Sequence, residues 1–294
     1  MTLLVKELFL TGALQVAEPE RPFWYTSGTF GPFYINTHYL FGGAEAAQSL
    51  LKQIEVELES MPTFYEHIQA LIQEQLLHNE IYACIMELTL QQLERDFDLA
   101  TIDVISGGER RDFFFSLPLA EKLQKPHLSL RKDGAAYLHT SSNAEKWGGK
   151  SAKEGKYSCV SQPELKGKNI LHVADIVTLA SSWLERWLPA VEECNGSIHY
   201  GFAILDRCQG GLSRLAAAGV EAVVLQNTDS DFFSAAVEAG MLSQAQADQV
   251  VAFLRDPAAY EKELLAAQPE FLLEEIAAGG RNGERARLYL ERMA

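Results

Sequence analysis

A chain of 294 residues with 47% hydrophobic content can build a full core, as one large domain or one domain with an appendage. A formal net charge of -15 argues against a nucleic-acid-binding surface, which needs clustered Lys and Arg, while leaving room for a locally basic site that takes a small anion. Cys84, Cys159, Cys194 and Cys208 lie far apart with no CxxC pair, which points to reduced thiols in a cytoplasmic protein and to neither a zinc site nor a disulfide framework. No run approaches the length of a membrane span, and the N-terminus has no leader-like apolar core, so neither span nor signal peptide is expected.

Residues 3–14 place Leu4, Val5 and Leu8 on one helical face, with Gly12 suited to a C-cap. Residues 21–43, RPFWYTSGTFGPFYINTHYLFGG, are rich in aromatics and broken by glycines. They predict two short strands about a turn at Ser27-Gly28. Such a hairpin fits either core or the wall of a flat-ring pocket, and composition favours core. Residues 44–98 carry apolar side chains at helical spacing, as in Ile68, Leu71, Ile72 and Leu76. Pro62 sits near a helix start there. No chemistry is evident in this segment, and His67 and His78 read as helix-face residues.

From Ala100 onward strands and helices alternate. ATIDVISGG is a strand ending in a glycine turn, GERRDFFFSLPLAEKL a helix, and PHLSLR a second strand. Residues 133–163 form a long polar stretch, made locally basic by Lys146, Lys150, Lys153 and Lys156, and read as a functional or disordered loop. A strand at 169–174, a helix at 178–194, the strand SIHYGFAILDR, the helix LSRLAAAG and the strand VEAVVLQ follow. This alternation implies an α/β fold with a mostly parallel central sheet flanked by helices. From Asp229 the chain is helical, punctuated by Pro257 and Pro269. The expected organisation is a domain over 1–227, with a helical insertion at about 44–98, and a helical C-terminal appendage over 228–294.

The stretch Lys168–Ser182, KNILHVADIVTLASS, combines a strand, an acid, a hydroxyl-rich turn and a helix start. Such a unit presents an acid at the strand end and backbone N–H groups and hydroxyls at the turn, which suits a sugar phosphate. Alone, it also fits an ordinary buried strand and a capped helix. Two further strand ends, Ser106 to Arg111 and Leu130-Arg131-Lys132, carry basic residues. In an open parallel sheet these ends meet at one edge, and together they suit a sugar polyphosphate.

The order of these segments resembles the type I phosphoribosyltransferases, orotate phosphoribosyltransferase most of all. The resemblance covers roughly residues 3–43 and 99–227. TSGTFGPFYIN is similar to that family's aromatic hairpin, DVISGGERRDFFFSLPLAEKL to its diphosphate-binding turn, and LSLRKDG to the segment before its catalytic loop. LKGKNILHVADIVTLASS is similar to its phosphoribosyl diphosphate motif, and FAILDRCQGG to the turn whose arginine approaches orotate. There are departures. Ala174 stands where the family has a first acid, leaving Asp175. Leu179-Ala180-Ser181 replaces Thr-Gly-Gly, and Thr26 replaces the hairpin lysine. Ala135 and Tyr137 occupy the places of the loop lysine and histidine, which His139 and the lysines from Lys146 on replace only in a shifted register.

The resemblance implies transfer of ribose 5-phosphate from phosphoribosyl diphosphate to a base, orotate or a related pyrimidine, with Mg2+ held through the substrate and not by protein ligands. Asp175 and Lys132 are then the catalytic residues, Asp175 holding the ribose hydroxyls. Thr178, Ser181 and Ser182 hold the 5-phosphate. Arg111 and Arg131 join Lys132 at the diphosphate, Arg207 reads an acidic base, and Phe33 and Tyr34 line the hairpin side. The resemblance also implies a homodimer, with no nucleic-acid or membrane partner. The alternative is a catalytically impaired regulatory protein that binds nucleotides or phosphoribosyl diphosphate on the same fold. Arg131, Lys132 and Arg207 also fit solvated or ion-paired surface charges.

Overall fold

The computed structural model describes residues 4–141 and 144–293. The chain divides into two compact units, residues 37–227, and the residues up to 36 together with those from 228 on.

The N-terminal part of the second of these holds α1 (Leu4–Leu10), β1 (Leu14–Val16), β2 (Phe23–Trp24), β3 (Phe30–Gly31) and β4 (Phe33–Ile35). β1 pairs with β4, and β2 with β3, both antiparallel. The expected turn at Ser27-Gly28 joins β2 to β3, with Gly28 at φ 76 where a side chain would be strained.

The unit of residues 37–227 opens with the helices α2 (Ala44–Glu57), α3 (Met61–His78) and α4 (Glu80–Asp96). Pro62 starts α3, and the Asn79 side chain caps α4 by accepting the Tyr82 N–H at 2.9 Å. The α/β part follows with β5 (Val104–Gly108), α5 (Phe113–Lys122), β6 (His127–Leu130), β7 (Ala136–Thr140), β8 (Lys150–Glu154), β9 (Tyr157–Ser161) and β10 (Asn169–Val177). It closes with α6 (Leu188–Glu192), β11 (Ser197–Asp206), α7 (Gly211–Ala217) and β12 (Glu221–Asn227). One eight-stranded sheet has the order β12-β11-β10-β5-β6-β7-β9-β8. The pairs from β12 through β6 are parallel, and those from β6 to β8 antiparallel. β5 and β6 are buried along their whole length, as strands covered on both faces must be. α3 packs on α5, β8 and β9, and α4 packs on α5 and β12, so the helical insertion covers part of the sheet and its crossover helix.

Two expectations change here. Residues 133–163 are not a long loop. After β6 the chain turns at Asp133-Gly134, with Gly134 N–H donating to the Arg131 carbonyl (3.0 Å) and Arg131 N–H to the Ala135 carbonyl (2.8 Å), and it returns at once as β7. Ala136 and Leu138 on β7, and Tyr157 and Cys159 on β9, are buried at every second position, with Val160 buried as well, so the polar average hides a strand pattern. The helix expected from 178 begins later. β10 runs on to Val177, and a π-helical turn at Trp183–Trp187 leads into α6.

From Ser230 the chain forms α8 (Ser230–Glu238), α9 (Gln244–Arg255), α10 (Pro257–Ala267), α11 (Phe271–Ala278) and α12 (Gly280–Met293). Asp229 caps α8, Ser243 and Gln246 form a capping box on α9, and Asp256 caps α10 ahead of Pro257. These helices enclose the aromatic hairpin. Trp24 stacks on Phe271 (5.8 Å, 4°), Phe30 meets Phe271 and Tyr289, and Phe33 is buried against Phe233 and Phe253. That burial is why the N-terminal residues group with the C-terminal helices, whereas the expected division kept them with residues 37–227. No helix among the described residues is long and apolar enough to cross a membrane.

Candidate active site

β5, β6 and β10 run parallel, so their C-terminal ends emerge at one edge of the sheet. A cavity of about 520 Å3 opens there, lined by Glu109 to Asp112 after β5, Lys132 after β6, and Ala174 to Ile176 and Thr178 to Trp183 at the end of β10 and beyond. Two glycines let the walls approach. A Cβ on Gly107 would overlap Ser116, and one on Gly108 would overlap the Trp187 ring, which lines the cavity.

The turn after β10 keeps an unusual backbone. Ala180 has φ 53, the left-handed conformation that glycine adopts freely and alanine resists. The alanine that holds this conformation is buried. The helical segment starts just beyond, so the N–H groups of its first turn lack intrahelical acceptors beside Thr178, Ser181 and Ser182, all of which line the cavity. Leu179, exposed, has its carbonyl taken by Arg214.

The acid side of the cavity holds a pair of carboxyl groups. Asp112, at the N-terminus of α5, accepts the Gly108 N–H at 2.9 Å and the Asp175 N–H at 3.1 Å. Burial, followed by the charge of Asp175, pushes the Asp112 pKa well above the usual carboxylate range. Burial also raises Asp175, to about 6, against the pull of the Arg111 guanidinium. Both carboxyls are thus held above the usual carboxylate range, Asp112 by burial and by the neighbouring Asp175 charge. Asp175 Oδ2 is buried and makes no hydrogen bond. Behind the pair, His172 Nε2 lies 3.7 Å from Asp112, and His172 Nδ1 is 3.0 Å from the Ser106 hydroxyl. Trp183 covers that imidazole edge-on at 4.2 Å, and burial lowers its pKa to about 3, so it is neutral.

The cavity brings together Asp175, Lys132, Arg111, Thr178, Ser181 and Ser182. The other expected residues lie elsewhere. Arg131 does not line the cavity. Its guanidinium donates to the Leu58 carbonyl at 2.7 Å and sits 3.8 Å from Glu109 and Asp133. Arg207 is half-buried at the end of β11, with its N–H on the Val177 carbonyl. Phe33 is a core side chain of its own unit, and Tyr34 packs edge-on against Phe23 there. His139 and Lys146 lie at the opposite edge of the sheet, where β6 begins, so no shifted register brings them to this cavity. Arg110 is paired with Glu55 on α2. Asp112 was not anticipated. The signal available was an acid just before the apolar helix FFFSLPLA, which marks a helix N-terminus. Nothing in the sequence tells that it faces Asp175.

No family model matches the chain. Over 185 residues it is 25% identical to an orotate phosphoribosyltransferase of Sinorhizobium fredii, a match spanning 62% of this chain and 71% of that protein. Its fold is similar to Leishmania donovani UMP synthase, with a TM-score of 0.54 and 15% identity, covering 85% of this chain. The chain spans 41% of that protein's length. It is also similar to Francisella tularensis orotate phosphoribosyltransferase, with a TM-score of 0.51, 13% identity, and 86% and 98% of the two chains covered. The chain is a sequence relative of orotate phosphoribosyltransferase carried on the type I phosphoribosyltransferase fold.

Proposed function

We propose that the sheet-edge cavity binds phosphoribosyl diphosphate and that the chain transfers ribose 5-phosphate to a nitrogenous base, orotate or a related pyrimidine. The observation that carries this reading is the turn after β10. It keeps the left-handed backbone at Ala180 and aligns Thr178, Ser181 and Ser182 with a helix start, the arrangement a terminal phosphate needs. Asp175 Oδ2, buried and without a hydrogen-bond partner, accepts from the ribose hydroxyls. Arg111 and Lys132 neutralise the diphosphate. In the transfer, the bond from ribose C1 to the diphosphate oxygen breaks with its electron pair leaving on the diphosphate. The base nitrogen supplies the pair for the new C–N bond, and its N–H proton passes to the departing diphosphate. A positive charge grows on the ribose between these events, and ionised Asp175 stabilises it. Mg2+, when bound, adds charge neutralisation at the diphosphate. Asp175 Oδ2 would accept from a water or substrate hydroxyl held by that ion, which would be bound through the substrate rather than by protein ligands. A cytoplasmic homodimer is part of the same reading.

The second reading is a binding protein without turnover. The tight turn at Asp133-Gly134 favours it, because no long loop follows Lys132 to close over the cavity and exclude water. One experiment separates the two. Diphosphate release from phosphoribosyl diphosphate is measured with Mg2+, with and without orotate, beside the thermal shift. Base-dependent release lost in Asp175→Asn supports transfer. A thermal shift without release supports the binding protein. Neither shift nor release overturns both.

A further inference from the structure

Four lysines that the proposed function does not use collect at the other end of the same strands. Lys125, Lys146, Lys156 and Lys168 line a second cavity of about 490 Å3. It opens where β5, β6 and β10 begin, so the length of the parallel strands separates it from the first cavity. Asp103 and Glu121 are its acids. Glu121 accepts from the Tyr157 hydroxyl at 2.6 Å and from the Lys156 ammonium at 3.3 Å, while Asp103 lies 3.9 Å from Lys168. The wall is therefore net positive in a chain of net charge -15. Lys150 and Lys153 belong to a different context. They lie on β8, the outermost strand, where lysine guards an open edge against pairing.

Buried aromatic residues also line the cavity. The Lys146 and Lys168 ammonium groups lie 5.2 and 5.3 Å from the centre of the Trp147 ring, so one indole positions both charges. Trp147 is 3% exposed, and its Nε1–H has no acceptor. His139 is 1% exposed, lines the same cavity, and has no hydrogen-bond partner on either nitrogen. Its ring is held by stacking on Tyr65 (5.4 Å, 19°). Burial keeps the imidazole neutral, with one N–H to give and one lone pair to offer. Buried donors left unpaired are uncommon and call for an acceptor. Both unpaired side chains line the same cavity as the Lys146 and Lys168 ammonium groups.

We propose that this cavity is a second binding site, taking a phosphate-bearing small molecule of nucleotide size. Phosphate oxygens accept from the Lys146 and Lys168 ammonium groups, beside the unpaired Trp147 and His139 side chains of the same wall. The volume suits a mononucleotide. Free diphosphate offers the same oxyanion, and the two sources are separated in the test. The inference stands on its own residues and survives failure of the proposed function.

The test blocks the first cavity and titrates the second. Ser182→Glu sets a carboxylate in the exposed phosphate turn while leaving the far edge untouched. Calorimetric titration of that full-length variant uses inorganic diphosphate, uridine monophosphate and uridine. Binding of a phosphorylated probe, with none for uridine, is expected, and each of Lys146→Gln and Lys168→Gln weakens it about tenfold. Tighter binding of the monophosphate than of diphosphate marks a nucleotide site, and the reverse marks a diphosphate site. Both lysines are also expected to be shielded from acetylation by the bound probe. Absence of phosphate-dependent binding to Ser182→Glu overturns the proposal. So does binding that is indifferent to both lysine substitutions.

Discussion

Asp112 Oδ1 accepts the backbone N–H of Asp175 at 3.1 Å, joining a helix N-terminus to the strand end that carries the candidate ribose ligand. The same carboxyl accepts the Gly108 N–H through its other oxygen. One side chain thus fastens three segments: the end of β5, the start of α5 and the end of β10. Ala174 stands next to Asp175, and the carboxyl that meets the Asp175 backbone is that of Asp112.

Asp112→Asn is expected to destabilise the protein. Burial and the Asp175 charge raise the Asp112 pKa, and both of its oxygens accept backbone N–H groups, so the change acts through those hydrogen bonds. An amide NH2 cannot accept, and one of the two backbone N–H groups loses its partner. A loss of about 1–3 kcal/mol follows, read from urea unfolding at pH 7. An unchanged midpoint and slope would show that the bridge contributes nothing.

Acidification from pH 7 to pH 5 is expected to cost stability. Burial holds His38, His139 and His172 neutral in the folded state, their pKa values lowered to about 3, and it lowers His127 too. The unfolded chain takes up protons below about 6.5 and the folded one does not, so each histidine's contribution is present above that pH and lost as pH falls, by up to about 1.4 kcal/mol per pH unit. Asp175 acts with the opposite sign. Its folded pKa is raised from 3.8 to about 6, so its contribution is present at low pH and lost as pH rises through 6. Asp175→Asn removes that compensation and steepens the fall between pH 7 and pH 5 by about 1 kcal/mol. Parallel stability curves for the two proteins would contradict this.

Ala180→Gly is expected to stabilise the fold and to tighten phosphate at the turn. The left-handed backbone strains alanine by about 1 kcal/mol or more, and glycine relieves it at a smaller entropic cost. A gain of about 0.5 kcal/mol in chemical unfolding is the expected size. A loss would mean that the buried Ala180 methyl outweighs the strain.

Gly108→Ala is expected to do the reverse. Its Cβ would overlap the Trp187 ring, so the π-helical turn must shift, at roughly 1–3 kcal/mol. Tryptophan emission changes with it, because Trp187 lines the cavity. Wild-type emission and stability together would show that the ring moves freely.

Much of the α/β part was legible in the sequence because its strands are short apolar runs ending in glycine or charge. VISGG, HLSL and NILHVADIV are buried on both faces, and such runs have few alternatives. The strand-end charges could be assigned to one edge because parallel strands share a direction. The polar stretch 133–163 misled, since its strands alternate and their apolar half is diluted by lysine, serine and glycine. Arg131 misled for another reason. A strand-end arginine reaches several acceptors, and the nearest carbonyl, that of Leu58, comes from a helix distant in the chain.

By itself the sequence determined the parallel sheet, the hydroxyl-rich turn after β10 and the aromatic hairpin, because periodicity and turn chemistry act locally. Only the tertiary structure decided that Ala180 keeps a glycine-like backbone, that Asp112 stands beside Asp175, and that Arg131 turns away. It alone placed Lys146 and Lys168 over Trp147 at the far edge. Each of these depends on atoms brought together from segments far apart in the chain, and burial, charge and hydrogen bonding act on that distance rather than on sequence separation.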